Sequence, residues 1–227
     1  MKFCLLALLF MVSLNACSQQ NTQNKYGLKV VNDFKVYKAD VAKNPSLALV
    51  DIKKEIPSVV LDIRYATKNN FMKQVMYKQA RAFARKPVVE KLKLIQAALK
   101  KNGYGLKIYD GYRPYAVTVS FYDKASDKNF VANPAKGSKH NRGCAVDLSI
   151  IDLKTGKDVP MPTPYDSFEA AAAPHYNDLP AHIIKNRDFL INTMQAHGFK
   201  VIYNEWWHFD FIGWQDYDLM DIPFEKL

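Results

Sequence analysis

Cysteine is scarce in this chain: 227 residues carry three, Cys4, Cys17 and Cys144. Three thiols make no disulfide framework, so the fold must be held by its core or by a bound metal. There is no Gly-x-Gly-x-x-Gly after a strand and no phosphate loop, which removes the usual dinucleotide and nucleoside-triphosphate sites. Internal repeats are absent too. The formal charge is +10, yet no run reaches five consecutive Lys/Arg residues. That scatter argues against a nucleic-acid partner and leaves attraction to an anionic envelope surface, or plain solubility. The apolar stretch Phe3–Leu14 is too short to span a bilayer comfortably. What remains, 48% hydrophobic and 24% charged, is the composition of a globular protein, and the length suits one domain with a sizeable core.

Lys2, the apolar stretch and Asn15-Ala16-Cys17 form a charged region, a hydrophobic region and a small residue before a cleavage point. The ending Leu14-Asn15-Ala16-Cys17 resembles the lipobox of bacterial lipoproteins. That resemblance implies a signal peptide over residues 1–16 and lipidation of Cys17, so the membrane is met only through a lipid anchor. The protein is then expected in the cell envelope, facing the periplasm or exterior. Residues 17–57 are read as the lipidated cysteine, a Gln/Asn-rich tether and an N-terminal extension, and residues 58–227 as the domain. Only Cys144 remains inside that domain.

Val59–Ile63 reads as a short strand and Arg64–Met72 as loop. Pro87–Gly103 reads as a helix, with Val88, Leu92, Ile95 and Leu99 on one face, Pro87 at its start and Gly103 at its end. Strands follow at Tyr104–Tyr109 and Ala145–Leu153, with a short helix at Ala116–Lys124 between them. A helix at His182–His197 leads to a strand at Phe199–Tyr203, which Phe209–Ile212 continues. Without strict β/α alternation the expected class is α+β: a single domain with a central antiparallel sheet and flanking helices. Asp158–Pro180, rich in proline, is expected to be a long functional or covering loop.

His140, Asp147 and His208 are the donor types of a catalytic zinc site, which takes about three ligands from protein and one from water. His140 and Asp147 are seven apart, on opposite faces of a straight strand; Gly143 between them permits a turn that brings both to one point. Glu205 and His208, three apart, likewise need a bend or bulge to share a site. A carboxylate beside zinc but not bound to it can take a proton from water whose pKa the metal lowers to about 7, then pass it to a leaving amine. His175, His182 and His197 sit among charged neighbours and read as surface or packing residues.

Ser138-x-His140-x-x-Gly143-x-Ala145-x-Asp147 followed by Glu205-x-Trp207-His208 resembles the zinc D-alanyl-D-alanine dipeptidases, known best from vancomycin-resistance systems. Arg64-Tyr65-Ala66-Thr67 with Asn70-Phe71, Asp110-Gly111-Tyr112-Arg113-Pro114, and Val159-Pro160-Met161 leading to Tyr165-Asp166 match in the expected order, over roughly residues 58 to 212. The resemblance implies a hedgehog/D,D-peptidase-like fold and one Zn2+ per subunit held by His140, Asp147 and His208. It implies Glu205 as catalytic base and Arg113 as stabiliser of the oxyanion. It further implies that Asp166 receives the substrate's ammonium and that Tyr65 and Ser138 line a small pocket. The implied reaction is hydrolysis of the small dipeptide D-alanyl-D-alanine to D-alanine, in cell-wall peptide turnover. Cys144 stands where Ser or Ala is expected, as a packing residue or a soft ligand. Pro162 replaces the family's usual Gly after Met161, and the following loop is alanine-rich, so the closing loop departs from the pattern. The competing readings are a D,D- or L,D-carboxypeptidase acting on peptidoglycan stems and an inactive zinc-containing binding module. Intact Glu205 and Arg113 speak against the latter.

Overall fold

The computed structural model describes residues 24–125 and 127–227; the expected signal segment and Cys17 lie outside the described residues. In chain order the elements are β1 (Val30–Val31), α1 (Phe34–Lys43), β2 (Leu49–Asp51), α2 (Ile52–Glu55), β3 (Val60–Leu61), β4 (Phe83–Arg85), α3 (Lys86–Lys100), β5 (Tyr104–Asp110), α4 (Tyr115–Lys124), β6 (Ala145–Asp152), α5 (Ala181–Gln195), β7 (Phe199–Val201), β8 (His208–Phe211) and β9 (Leu219–Met220). The class is α+β, as the mixed pattern of strands and helices implies. None of the helices among the described residues is long and apolar enough to cross a membrane.

Helix α3 follows from its sequence. Proline opens it, and Val88, Leu92, Ile95 and Leu99, spaced three and four apart, are all fully buried. Each such side chain contributes about 1.5–3 kcal/mol on leaving water. Gln96 on the same helix is also buried, and it is satisfied at both ends: Oε1 accepts the backbone N–H of Leu106 at 2.7 Å and Nε2 donates to Ser58 Oγ at 3.1 Å. That residue locks α3 onto β5.

The central sheet has the order β3-β5-β6-β8-β7. It is mixed rather than wholly antiparallel, since β3 runs parallel to β5 while the other neighbours are antiparallel. The chain between β3 and β5 makes a crossover through β4 and α3, long enough to return in the same direction. Phe209–Ile212 does not continue the preceding strand. The chain reverses between Val201 and His208, and β8 pairs antiparallel with β7 on one side and β6 on the other. Residues 30–57, expected as an extension ahead of the domain, carry α1, β2 and α2. Strand β2 pairs with β4, and Ile52 and Ile56 join the core. Strand β2 and helix α2, at three and four residues, are too short to show a period in the sequence.

Alternation along β6 sends Val146, Leu148 and Ile150 to one face and Asp147 and Ser149 to the other. The second face is covered by the long loop from Asp158 to Pro180. Tyr165 of this loop stacks on Tyr109 of β5 at 4.4 Å. Asp158 at its start receives Lys107 Nζ at 2.9 Å. The expected covering loop is therefore the roof of the polar face.

Gly143 joins a turn of 3-10 helix, His140–Arg142, to β6 at φ 68°. A Cβ there would also lie 2.6 Å from Leu49 Cδ2. Left-handed strain of about 1–2 kcal/mol and overpacking of about 1–3 kcal/mol act together. Gly143→Ala should therefore lose about 2–5 kcal/mol of unfolding free energy in urea denaturation.

Candidate active site

Strand register builds the site. Asp147 on β6 lies opposite His208 on β8 and, on its other side, opposite Asp110 at the end of β5. The register shifts between Ile108 and Asp110, an irregularity that re-aims the last residues of β5. His140 arrives from the turn ahead of Gly143. That turn is braced against the Asp110–Arg113 segment: Arg113 N–H donates to His140 O at 3.0 Å, and Asn141 Nδ2 donates to Arg113 O at 2.9 Å. Gly111 is required because Phe83 passes over it; a Cβ there would sit 2.5 Å from the Phe83 carbonyl oxygen.

His140 Nε2, His208 Nδ1 and Asp147 Oδ1 form a buried triangle with sides of 3.2, 3.1 and 3.3 Å. Both histidines direct their other nitrogen to an acceptor: His140 Nδ1 to Gly111 O at 2.7 Å and His208 Nε2 to Asp210 Oδ1 at 2.9 Å. Their ring protons are thus engaged outward. Asp147 Oδ1 is left buried without a hydrogen-bond donor. Three inward lone pairs in a dry place call for a cation. A tetrahedral zinc with bonds of about 2.0–2.1 Å has ligand–ligand edges of about 3.3–3.4 Å, which matches this triangle. The spot favours positive charge: burial opposes a charge on His208, but attraction to Asp147 and Asp210 outweighs it and pushes its pKa up to about 10, and a metal would take the place of that inward proton. Burial likewise opposes charge on Asp147, yet His140 and His208 hold its carboxyl far below the usual range. The residues fit zinc. Cys144 is buried, its Sγ faces Arg142 O at 3.5 Å, and it is not one of the clustered donors. It packs, and burial pushes its thiol up to about 12.

Glu205 reaches the triangle from a turn. His208 N–H meets Glu205 O at 3.4 Å, and this reversal brings Glu205 Oε2 to 3.7 Å from His208 Nδ1. The bend that the spacing demands is present. Burial, reinforced by the charges of Asp147 and Asp166, pushes Glu205 up to about 7 against His208 and Arg113. Arg113 gives Nε and Nη2 to Asp110 Oδ2 at 3.0 and 2.7 Å, lies 3.9 Å from Asp147 Oδ2, and lies over the neighbouring rings of Tyr65 and Phe121. Asp166 sits at φ 66°, an uncommon region for a side-chain-bearing residue. Its Oδ1 accepts Tyr65 OH at 2.9 Å, while Oδ2 is buried without a partner. Burial pushes its carboxyl up to about 7. Ser138 Oγ accepts the N–H of His140 at 3.2 Å, so it shapes the histidine's turn as well as the wall.

All eight of these side chains line one cavity of about 240 Å3, with Phe71, Phe168 and Trp207 among the remaining walls. That is smaller than a drug-sized pocket, at about 300–1,000 Å3, and is on the scale of a dipeptide. Asp110 and Tyr165 fall within the matching segments without an implied role, and Asp210 lies outside them. Asp110 holds Arg113, Tyr165 donates its OH to Asp147 Oδ2 at 3.0 Å, and Asp210 holds His208. Only the strand pairing reveals the first and third, although Asp110 opens the Asp-Gly-Tyr-Arg-Pro segment.

The family described as Peptidase_M15, D-ala-D-ala dipeptidase, matches residues 45–224. The chain is similar to the D-alanyl-D-alanine dipeptidase of Escherichia coli (strain K12), 29% identical over 172 residues, covering 76% of this chain and 89% of that one. It is similar to the D-alanyl-D-alanine dipeptidase of Enterococcus faecium, 29% identical over 171 residues, covering 65% and 83%. Among solved structures it is similar to the LdcB LD-carboxypeptidase at TM-score 0.39 and 23% identity, covering 59% of this chain and 61% of that chain.

The Arg113–Asp110 pair is buried, with Tyr77 OH also donating to Asp110 at 2.9 Å. Asp110→Ala would strand a buried guanidinium. It should cost about 3–5 kcal/mol in urea denaturation, against a much smaller loss for removal of an exposed pair such as Lys25–Asp123.

Proposed function

The chain belongs to the D-Ala-D-Ala dipeptidase family of zinc metallopeptidases, and on that premise we propose that it hydrolyses the dipeptide D-alanyl-D-alanine to two molecules of D-alanine. The observation that carries the reading is Asp166 Oδ2, a buried carboxylate oxygen without a partner on the wall of a small cavity that also holds Glu205, Arg113 and the His-Asp-His triangle. A free ammonium is the ligand such an oxygen lacks. An N-acylated stem peptide would present a neutral amide there instead, which disfavours the carboxypeptidase reading.

His140, Asp147 and His208 would hold the zinc, which when bound lowers the pKa of water to about 7 and polarises a carbonyl. Asp166, steadied by Tyr65, anchors the amino end of the substrate and sets the register of the scissile bond. Glu205, beside the triangle but outside it, takes the proton of the attacking water and delivers it to the departing amine. Arg113, fixed by Asp110, points its charge at the oxygen that becomes negative when water adds to the carbonyl. Its low-dielectric surroundings strengthen that attraction. Ser138 and Trp207 close the walls around a residue with a small side chain.

We also infer a place and role. The lipobox-like ending at Cys17 supports an enzyme tethered to the envelope by lipid, where it clears or recycles D-Ala-D-Ala released during cell-wall peptide turnover. Recovery in the soluble cytosol with Met1 retained would overturn that location.

The decisive assay offers purified protein and zinc three substrates: D-Ala-D-Ala, L-Ala-L-Ala and an N-acylated tripeptide ending in D-Ala-D-Ala. Preference for the free D,D-dipeptide is expected; preference for the acylated tripeptide would make the enzyme a carboxypeptidase. Glu205→Ala should retain one zinc by metal analysis while kcat falls by about 10²–10⁴. The raised carboxyls give a pH dependence. Asp166 is neutral below about 7 and charged above it, and Glu205 behaves alike. Both roles need the charged form, so kcat/KM for D-Ala-D-Ala should climb as pH rises through about 7, the range in which free-enzyme groups report.

A further inference from the structure

The family reading assigns three inward-facing donors but not the group that decides which nitrogen of His208 faces inward. An imidazole is a ligand only through the nitrogen that lacks a proton, and the hydrogen bond at its other nitrogen makes that choice. For His140 the outer partner is the Gly111 carbonyl, part of the main chain and neutral. For His208 it is a side chain with a full charge: Asp210 Oδ1, 2.9 Å from Nε2.

Asp210 is built into place from three directions. It lies two residues beyond His208 on β8, hence on the same face of the strand, and its backbone is opposite Ala145 in the ladder with β6. Its second oxygen, Oδ2, receives Lys139 Nζ at 3.3 Å. Lys139 directly precedes His140, and its ammonium lies 5.3 Å from the centre of the Trp214 ring. The Asp210 side chain is largely buried, at 12% exposure, so its attraction for the imidazole N–H is weakly screened. The chain Lys139–Asp210–His208 therefore links the turn that carries one histidine to the strand that carries the other. A half-turn of the His208 ring would replace Nδ1 by a carbon at the triangle and break the bond to Asp210. The geometry penalises that rotamer and the wrong tautomer together.

Resting on the zinc reading above, we propose that Asp210 is a positioning residue for the metal centre: it holds the proton of His208 on Nε2, keeps Nδ1 aimed at Asp147 Oδ1 and His140 Nε2, and thereby sets zinc affinity. Asp210 does not touch the substrate.

The test measures zinc dissociation constants of the full chain by competition with a fluorescent zinc chelator, for the wild type, Asp210→Ala and Asp210→Asn. Loss of a group that orients a ligand weakens metal binding about 10–100-fold, and Asp210→Ala should fall in that range. Asparagine can still accept the Nε2–H bond without the charge, so Asp210→Asn should lie between alanine and the wild type. The visible absorption of the cobalt(II)-substituted protein adds a signature that general destabilisation would not move; it should shift in Asp210→Ala and partly return in Asp210→Asn. If the alanine variant does not fold, the asparagine variant decides alone by the same two readouts. Zinc affinities within twofold of the wild type, with an unchanged cobalt spectrum, would overturn the role of Asp210. A wild-type chain that binds no zinc would instead overturn the metal reading itself, so the two failures are distinguishable.

Discussion

Two imidazole nitrogens and a carboxylate oxygen converge to within about 3 Å of one another in a dry pocket, each with a lone pair inward. Without positive charge among them, they repel. Much of the surrounding architecture serves to hold this otherwise unfavourable convergence. The β6–β8 register fixes Asp147 against His208, and the turn at Gly143 swings His140 back to meet them. Hydrogen bonds at Gly111 O, Asp210 and Tyr165 occupy the outer side of each donor. A cation in the middle turns three repulsions into three attractions, so metal binding and local folding are coupled.

Three acidic side chains, Asp147, Asp166 and Glu205, line the pocket, Asp110 and Asp210 stand behind its walls, and the partners of the five differ. Asp110 is neutralised by a two-nitrogen contact from Arg113, and Asp210 by His208 and Lys139. Asp166 and Glu205 have no such cation at hydrogen-bond distance, and burial drives both up to about 7. Both line the cavity beside the His-Asp-His triangle. The cations within the fold are spent on Asp110 and Asp210, which leaves these two carboxyls electrostatically unfinished. The roof of the cavity is equally economical. One loop delivers Tyr165 to Asp147, Asp166 to Tyr65 and Phe168 to a stack on Phe130 at 4.5 Å, so a single segment supplies this side of the cavity.

Much of this was legible before any coordinates. The apolar face of α3 reads directly from its three- and four-residue spacing, because helix periodicity is a local property of the chain. The identities of His140, Asp147, Glu205, Arg113 and His208 were legible from ordered motifs. The spacing also showed that Gly143 permits a turn and that the segment from Glu205 to His208 has to bend if both serve one site; the chain does both. The parallel pairing of β3 with β5 was not legible, nor was the reversal between β7 and β8. Neither leaves a local signature, because each depends on which distant strand is adjacent. Residues 30–57 escaped for another reason: elements of two to four residues, α1 aside, carry too little pattern to register.

The amino-acid sequence by itself determined the donor chemistry: two imidazoles and a carboxylate for a metal, a glutamate beside them, a guanidinium after a turn. It determined the glycines that let the chain fold back at those points. Tertiary structure alone decided which nitrogen of each histidine faces inward, which carboxylate is quenched by an arginine and which is left for substrate, and that Asp210 stands behind His208. Side-chain identity is written residue by residue. Protonation, tautomer and partnership depend on distances between segments far apart in the chain, and those exist only once the strands are in register.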